Sequence, residues 1–216
     1  MDVFMDSARL AELLRPFTAD AVLSPQVFDQ LQRYLDLLLR WNARVNLSAV
    51  REPEQVVTRH FGESLFAAQV LLGRRKEIAT QLSLADVGSG AGFPGIPMQL
   101  FAPELELTLI ESHNKKATFL REVLRALDLK QAEVFRGRAE RWGRTADLVT
   151  LRAVEQFEHV LPIAANLVTP GGRLCLLISA AQVPIARDLL AAGWTWQQPI
   201  AVPLSAQRVV LVGSQG

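Results

Sequence analysis

The sequence predicts an α/β fold: a mostly parallel, seven-stranded sheet with an antiparallel C-terminal hairpin strand and an N-terminal helical extension. Three observations support this. From Leu82 onward, short apolar runs alternate with amphipathic helical stretches, which is typical of a parallel sheet covered on both faces. A glycine-rich turn follows the first of these runs. Near the C-terminus, two apolar runs are separated by only a short polar turn, which indicates an antiparallel hairpin.

Composition limits the class of protein. The 216 residues allow one domain of ordinary size with a small extension, and 50% hydrophobic with 21% charged residues argues for a packed core and against disorder. The net charge of +1 does not indicate a nucleic-acid binder, but it leaves room for one whose basic groups are clustered.

The single cysteine and the apolar runs indicate where the chain resides. Cys175 lies in the apolar run Leu174–Ile178, so a buried thiol is expected and a disulfide framework is excluded. Residues 1–6 carry early acids and no apolar stretch of the kind found in secretory signals, and the apolar runs are too short to span a membrane. We expect a cytoplasmic monomer without a membrane partner.

The first third of the chain is predicted to be helical. Ser24-Pro25 is a favourable helix start, and Leu31, Leu35 and Leu38 then recur at helical spacing. A polar turn ends this helix, and a second helical segment spans 53–72 with a bend at Gly62. Because the leucine stripe needs a partner surface, we expect residues 1–75 to form a helical lobe packed on an α/β domain of residues 76–216.

The α/β part is predicted in alternating order. The expected strands are Leu82–Val87, Glu106–Glu111, Ala132–Arg136, Ala146–Leu151 and Gly172–Ile178. The expected helices are Lys115–Leu127, Gln156–Leu167 and Val183–Ala192. Ile200–Leu204 and Val209–Val212 then form the terminal hairpin.

The turn Asp86–Gly95 after the first predicted strand indicates a binding site. Its glycines, which include Gly88, Gly90 and Gly92, let the backbone turn tightly and approach a ligand closely. A helix then begins near Ile96 and offers unpaired N–H groups. These features predict a nucleotide-type pocket at the carboxyl end of the first strand.

Two features argue against a dinucleotide, although Gly90–Gly95 satisfies the pattern G-x-G-x-x-G. Asp86 at the strand end would repel a pyrophosphate but would attract a sulfonium or an ammonium group. A Pro170–Gly172 turn also directly precedes the fifth predicted strand.

With these features the chain resembles the class I S-adenosylmethionine-dependent methyltransferases. The resemblance implies that the cofactor contacts Asp86, Gly88, Gly90, Gly92, Phe93, Glu111, Ala139, Glu140 and Arg152. Among these, Glu111 ends the second strand and would bind both ribose hydroxyls, while Ala139 and Glu140 would lie beside the adenine. The alternatives are that Glu111 is a solvated residue capping the next helix, and that the segment around Ala139 is only a turn and a short helix.

A narrower resemblance involves the helical third. The segments Trp41–Arg51 and Arg59–Leu65, together with the glycine turn and Leu151–Val154, are similar to the glucose-inhibited division protein B family, over roughly residues 28–212. This family implies a Rossmann-like fold and methyl transfer to guanine N7 of small-subunit (16S) ribosomal RNA, free or in a ribosomal particle, with S-adenosylhomocysteine as the product. The chain departs from the family pattern at Gly62-Glu63 and Ser179-Ala180.

The implied reaction needs few catalytic groups. Guanine N7 has a lone pair and no proton to lose, so no general base is required. Arg152, after the fourth strand, is the predicted catalytic residue because its guanidinium can donate to guanine O6. The alternative is an arginine in an ion pair at a helix start, for example with Glu155. The three histidines are dispersed, and no metal site is expected.

Basic residues flank the predicted pocket on the segments after the second and third strands. The predicted RNA contacts are Lys115, Lys116, Arg59, His60, Arg138 and Arg208. A solvated surface is the alternative for the charged runs, and a buried structural role is the alternative for His60. Competing functions are a methyltransferase of another RNA, a small molecule or a protein, a non-catalytic adenosylmethionine-binding regulatory module and, more distantly, a dinucleotide oxidoreductase.

Overall fold

The N-terminal part of the computed structural model is helical, as the sequence predicts. The structure describes residues 5–18, 21, 23–73 and 81–216. The helices are α1 (Ser7–Thr18), α2 (Pro25–Val45), α3 (Pro53–Val56), a π-helical turn (Val57–Gly62) and α4 (Glu63–Leu72). Ser24 caps α2 by accepting from the Val27 amide at 3.4 Å. The predicted bend at Gly62 is the end of the π-helical turn, and the proposed lobe boundary after residue 75 lies outside the described residues.

Strands and helices alternate from Ser83 onward. The strands are β1 (Ser83–Val87), β2 (Glu106–Glu111), β3 (Ala132–Arg136), β4 (Ala146–Arg152), β5 (Val168–Ser179), β6 (Trp194–Trp196), β7 (Ile200–Ala201) and β8 (Arg208–Gln215). The helices between them are α5 (Gly95–Phe101), α6 (Asn114–Ala126), a 3-10 turn (Ala139–Arg141), α7 (Phe157–Ala165) and α8 (Gln182–Leu189).

The sheet order is β3-β2-β1-β4-β5-β8-β6, with the two-residue β7 also paired to β8. The first five strands run parallel, and β8 is antiparallel to β5, which confirms the predicted mixed sheet. The order turns back between β1 and β4, and ligands of open α/β sheets bind at the carboxyl ends of the strands at such a point. The three-residue β6 was not predicted, because its alternating Trp194-Thr195-Trp196 is too short to be distinguished from a loop.

Several boundaries differ from the sequence prediction. β5 begins at Val168, so the Pro170–Gly172 turn lies inside this strand as a bulge and does not precede it. Helix α7 begins after Gln156, whose backbone is left-handed, and α8 ends at Leu189. Cys175 is fully buried, as expected. Among the described residues, no helix is both long and apolar enough to cross a membrane.

The lobe and the sheet share one hydrophobic core. Leu31, Leu35 and Leu38 of α2 are fully buried in the same cluster as Leu84 of β1 and Leu107 of β2. A second cluster covers the opposite face of the sheet beneath α7 and α8. The leucine stripe therefore has the partner surface that its pattern requires.

Candidate functional site

The glycine turn between β1 and α5 has one filled side and one open side. Gly90 and Gly92 both have positive φ, +58° and +93°, which favours glycine. A Cβ at Gly92 would lie 2.5 Å from the Tyr34 hydroxyl, whereas a Cβ at Gly90 would meet nothing nearer than 3.8 Å. The turn therefore packs against α2 on one side and leaves space above Gly90 on the other.

Asp86 lies on the filled side. Its Oδ1 accepts from the Thr150 hydroxyl at 2.8 Å, and its Oδ2 accepts from the Gly95 amide at 3.2 Å. Complete burial raises the pKa of Asp86 to about 6, and the hydrogen bonds from Thr150 and Gly95 oppose this shift. The expectation that this carboxylate faces the ligand is therefore corrected: its oxygens bind the start of α5 and the middle of β4, because these are the donors within reach.

Glu111 lies on the open side. Its Oε2 accepts from the Gly90 amide at 3.0 Å, and its Oε1 accepts from the His113 amide at 2.6 Å. The residue is buried, so it is not the solvated residue of the alternative interpretation, although it does contact the start of α6. Each oxygen keeps a further lone pair, which suits a carboxylate that is to accept from a pair of hydroxyls.

The segment after β3 reaches the same edge of the sheet. The Gly137 amide donates to the Glu111 carbonyl at 3.1 Å, which ties this segment to the end of β2. In the 3-10 turn that follows, Ala139 is buried and Glu140 is exposed. The segment predicted to lie beside the adenine therefore begins, at Gly137, next to the residue predicted to bind the ribose.

Arg152, at the end of β4, is largely covered by the helical lobe, with 11% of its side chain exposed. Its Nη2 donates to the Arg59 carbonyl and lies 3.1 Å from Oε2 of Glu63. The other Glu63 oxygen lies 2.6 Å from Nη2 of Arg208. The ion pair suggested with Glu155 is therefore replaced by one with Glu63, a residue 89 positions away in the chain. The Nη1 atom of Arg152 is buried and has no hydrogen-bond partner among the residues that the structure describes.

An aromatic stack lies beside this guanidinium. The Phe93 ring stacks on His60 at 4.7 Å and on Tyr34 at 5.3 Å between centroids. The His60 Nε2 lies 2.7 Å from the Ser48 hydroxyl. Burial, together with the charges of Arg152 and Arg59, lowers the pKa of His60 to about 3. His60 is therefore neutral near pH 7 and does not provide the RNA-binding cation expected from the sequence.

The other predicted RNA contacts lie around this edge in different environments. Lys115, Arg59 and Arg138 are exposed, Lys116 is half-buried, and Arg208 is half-buried in its ion pair with Glu63. A separate cavity of about 360 Å³ lies at the amino ends of the strands and contains none of these residues. Across the part of the chain that the structure describes, no cluster of His, Cys, Asp or Glu could hold a metal ion.

Sequence reasoning did not assign roles to Tyr34, Ser48 and Glu63. The Tyr34 hydroxyl donates to the Ala91 carbonyl and so fixes the glycine turn from the lobe. A polar-tipped ring within a leucine stripe, and a single acid within the apolar stretch Phe61–Leu72, were the available signals. Neither signal shows which residue Tyr34 or Glu63 binds, because the residues that they bind lie far away in the chain.

Comparison with known proteins places the chain in a family. The family model described as rRNA small subunit methyltransferase G matches residues 27–185. A protein named ribosomal RNA small subunit methyltransferase G from Xanthomonas axonopodis pv. citri is 40% identical over 191 residues, which is 86% of each chain. The protein of the same name from Stenotrophomonas maltophilia is 38% identical over 203 residues, which is 91% of this chain and 89% of the relative.

Solved structures show the same fold at low identity. The ribosomal protein L11 methylase of Lactobacillus delbrueckii subsp. bulgaricus has a TM-score of 0.60 and 13% identity, over 73% of this chain and 79% of that one. A predicted O-methyltransferase of Agrobacterium tumefaciens has a TM-score of 0.57 and 20% identity, over 71% and 80%. With the family match across most of its length, the chain belongs to the rRNA small subunit methyltransferase G family, the glucose-inhibited division protein B family that its sequence resembles.

Proposed function

We propose that this protein transfers the methyl group of S-adenosylmethionine to N7 of a guanine in 16S ribosomal RNA. One observation carries the proposal: the open glycine turn, the buried Glu111 and the partly exposed Arg152 lie together at one edge of the sheet. Family membership supports the reaction class and the ribosomal RNA substrate.

The residues present fit the cofactor. The space above Gly90 admits a ligand against the backbone, and Glu111 offers two carboxylate oxygens toward a ribose. When bound, S-adenosylmethionine supplies an electrophilic methyl group on a sulfonium, and the sulfide that leaves keeps the bonding electron pair. Glu111 binds the ribose hydroxyls, and the backbone of Ala139 and Glu140 contacts the adenine edge.

The chain's own residues act by positioning rather than by proton transfer. Guanine N7 has no proton to remove, so catalysis requires the base to be oriented with its lone pair toward the methyl group. The guanidinium of Arg152, whose side chain keeps 11% of its surface exposed, donates to guanine O6, the acceptor next to N7. His60 is neutral and bound to Ser48, so it serves as a wall of the pocket and not as a base.

The RNA is bound by cations outside the pocket. Lys115, Lys116, Arg59 and Arg138 contact phosphates, while Arg208 is shared between Glu63 and the RNA. Because the substrate is ribosomal RNA, we expect the enzyme to work in the cytoplasm, as a monomer on the RNA or on the assembled particle.

Labelled methyl transfer to small-subunit particles and to purified ribosomal RNA, with identification of the methylated nucleoside, tests the proposal. We expect N7-methylguanosine, and a reaction rate without a titrating base between about pH 6.5 and 8.5. Label in a protein, in a small molecule or at an exocyclic amine would overturn it. Calorimetry should show binding of S-adenosylmethionine and S-adenosylhomocysteine but not of NAD; the reverse would also overturn it.

Arg152 is tested by substitution. Arg152→Ala should reduce methylation at least a hundredfold, and Arg152→Lys should recover little, because one ammonium cannot replace a planar set of donors. Arg144→Ala is the control, since Arg144 pairs with Glu133 near the amino ends of the strands. Full activity of Arg152→Ala would refute the assigned residue.

A further inference from the structure

Glu63 is a buried carboxylate held between two guanidinium groups. Its side chain is only 3% exposed, and its oxygens lie 3.1 Å from Arg152 Nη2 and 2.6 Å from Arg208 Nη2. The three residues belong to the start of α4, the end of β4 and the start of β8. A buried charge persists only when it is paired, so the two arginines explain why an acid occurs in this otherwise apolar part of the chain.

The π-helical turn that precedes Glu63 supplies a second acceptor for Arg152. In a regular α-helix the Glu63 amide would donate to the Arg59 carbonyl. Here the Glu63 amide donates to the carbonyls of Thr58 and His60, which leaves the Arg59 carbonyl free for Arg152 Nη2. The lobe therefore binds Arg152 Nη2 through the Arg59 carbonyl of the π-helical turn and through the side chain of Glu63, the residue that follows this turn. Single π-helical turns are frequent at functional sites.

Glu63 is the acid in direct contact with a group of like charges. Arg59 and Arg208 both act on Arg152 as like charges, while Glu63 and the more distant Asp86 oppose them. With Glu63 neutralised, the guanidinium groups of Arg152 and Arg208 would share one site without a common anion. Arg152 Nη1 and Arg208 Nε are both buried and have no hydrogen-bond partner among the described residues. Glu63 is therefore the anion that binds both guanidinium groups, through their Nη2 atoms.

We propose that Glu63 is a positioning residue for methyl transfer: by holding the Nη2 atoms of Arg152 and Arg208, it fixes the orientation of the Arg152 guanidinium that contacts the target base. This inference rests on the proposed function, in which Arg152 contacts guanine O6. A purely structural ion pair between lobe and sheet would have the same geometry, so the test must separate turnover from stability.

The experiment compares Glu63→Gln, Arg208→Gln and the double variant in the full-length protein. Glu63→Gln keeps the shape of the side chain but leaves two cations together, so we expect it to lower stability as well as activity. The double variant removes one charge of each sign, so the net charge is unchanged and the repulsion is gone. Thermal unfolding and kcat, with S-adenosylmethionine and small-subunit particles both saturating, are measured for each variant. Glu133→Gln, which breaks the exposed ion pair with Arg144, is the matched control.

We expect the double variant to unfold within a few degrees of the wild type, and its kcat to be at least tenfold below that of Arg208→Gln. Glu63→Asp, which keeps the charge on a shorter side chain, should retain more activity than Glu63→Gln, and the control should match the wild type. Equal kcat for the double variant and Arg208→Gln, or no advantage of Asp over Gln, would overturn the role of Glu63. An inactive wild type would instead overturn the proposed function, so the two failures are distinguishable.

Discussion

The filled and open sides of the glycine turn each contain a glycine and an acidic residue, but the contacts of these residues differ. On the filled side, Asp86 binds Thr150 and Gly95 inside the protein, and the space beside Gly92 is occupied by Tyr34. On the open side, Glu111 binds two backbone amides and retains accessible lone pairs, and the space beside Gly90 is empty. Both acids lie near the carboxyl ends of neighbouring strands, so we expect the side of the turn, and not the residue type, to decide which acid contacts a ligand.

Gly92→Ala should show the largest effect, because the filled side cannot accept a methyl group. The new Cβ would lie 2.5 Å from both the Tyr34 hydroxyl and Ile96, at a φ of +93°. We expect a loss of about 3 kcal/mol in the free energy of unfolding, from overpacking and backbone strain together. Gly143→Ala is the control: it has a similar φ of +68° and nothing within 4 Å, so it should lose only about 1 kcal/mol. If chemical denaturation gave the same loss of unfolding free energy for Gly92→Ala and Gly143→Ala, the proposed difference between the two sides of the turn would be wrong.

Asp86 should make a pH-dependent contribution to stability. Its pKa is raised by burial from 3.8 to about 6 in the folded state, so ionisation costs the native state more than the unfolded state. This contribution is favourable below about pH 4 and is lost as the pH rises through about 6. His60, whose pKa is lowered to about 3, acts in the opposite direction over this range, so the wild-type curve alone does not isolate Asp86.

Asp86→Asn isolates the contribution, because both proteins contain His60. The stability of the variant relative to the wild type should rise by up to about 3 kcal/mol between pH 4 and 7, measured by urea unfolding. A pH-independent difference would show that Asp86 is not desolvated in the way the buried geometry requires.

Changes on the open side should affect ligand binding more than folding. Gly90→Ala should cost the same stability as Gly143→Ala, since neither Cβ meets a close neighbour, yet only Gly90→Ala should weaken S-adenosylmethionine binding. Glu111→Ala should weaken it about ten- to a hundredfold, or about 1–3 kcal/mol, with a smaller change in melting temperature. Calorimetry that finds unchanged affinity for both variants would contradict the assignment of the open side to the cofactor.

The smallest effect is expected beyond the open side, at the start of α6. Lys115→Ala with Lys116→Ala should weaken RNA binding and reduce the slope of log K against log salt by about 0.7 for each lost phosphate contact on single-stranded RNA. Cofactor affinity should stay unchanged. Lys130→Ala, in the exposed loop after α6, is the control. An unchanged slope in the double variant would exclude this surface from the RNA interface.

The local pattern was sufficient for most of the fold. The strand β2, the helix α6 and the antiparallel β8 follow from apolar periodicity and turn residues, which act over a few positions. The start of β5 was not predictable, because its bulge depends on pairing with Ala146 and Leu148 of β4. The short β6 exists because β8 offers a free edge, a condition that no local sequence signal reports.

The candidate site likewise has one part that local sequence patterns predict and another that they do not. The glycine turn, Glu111 beside it and Arg152 at the end of a strand could be placed from the sequence, because adjacent parallel strands bring their carboxyl ends to one edge of the sheet. The inward orientation of Asp86, the stacked and neutral state of His60 and the bridge that Glu63 forms between Arg152 and Arg208 follow from packing and could not be read from the sequence. These outcomes depend on burial and on partners up to about 145 residues apart in the chain, and both arise when the lobe packs on the sheet.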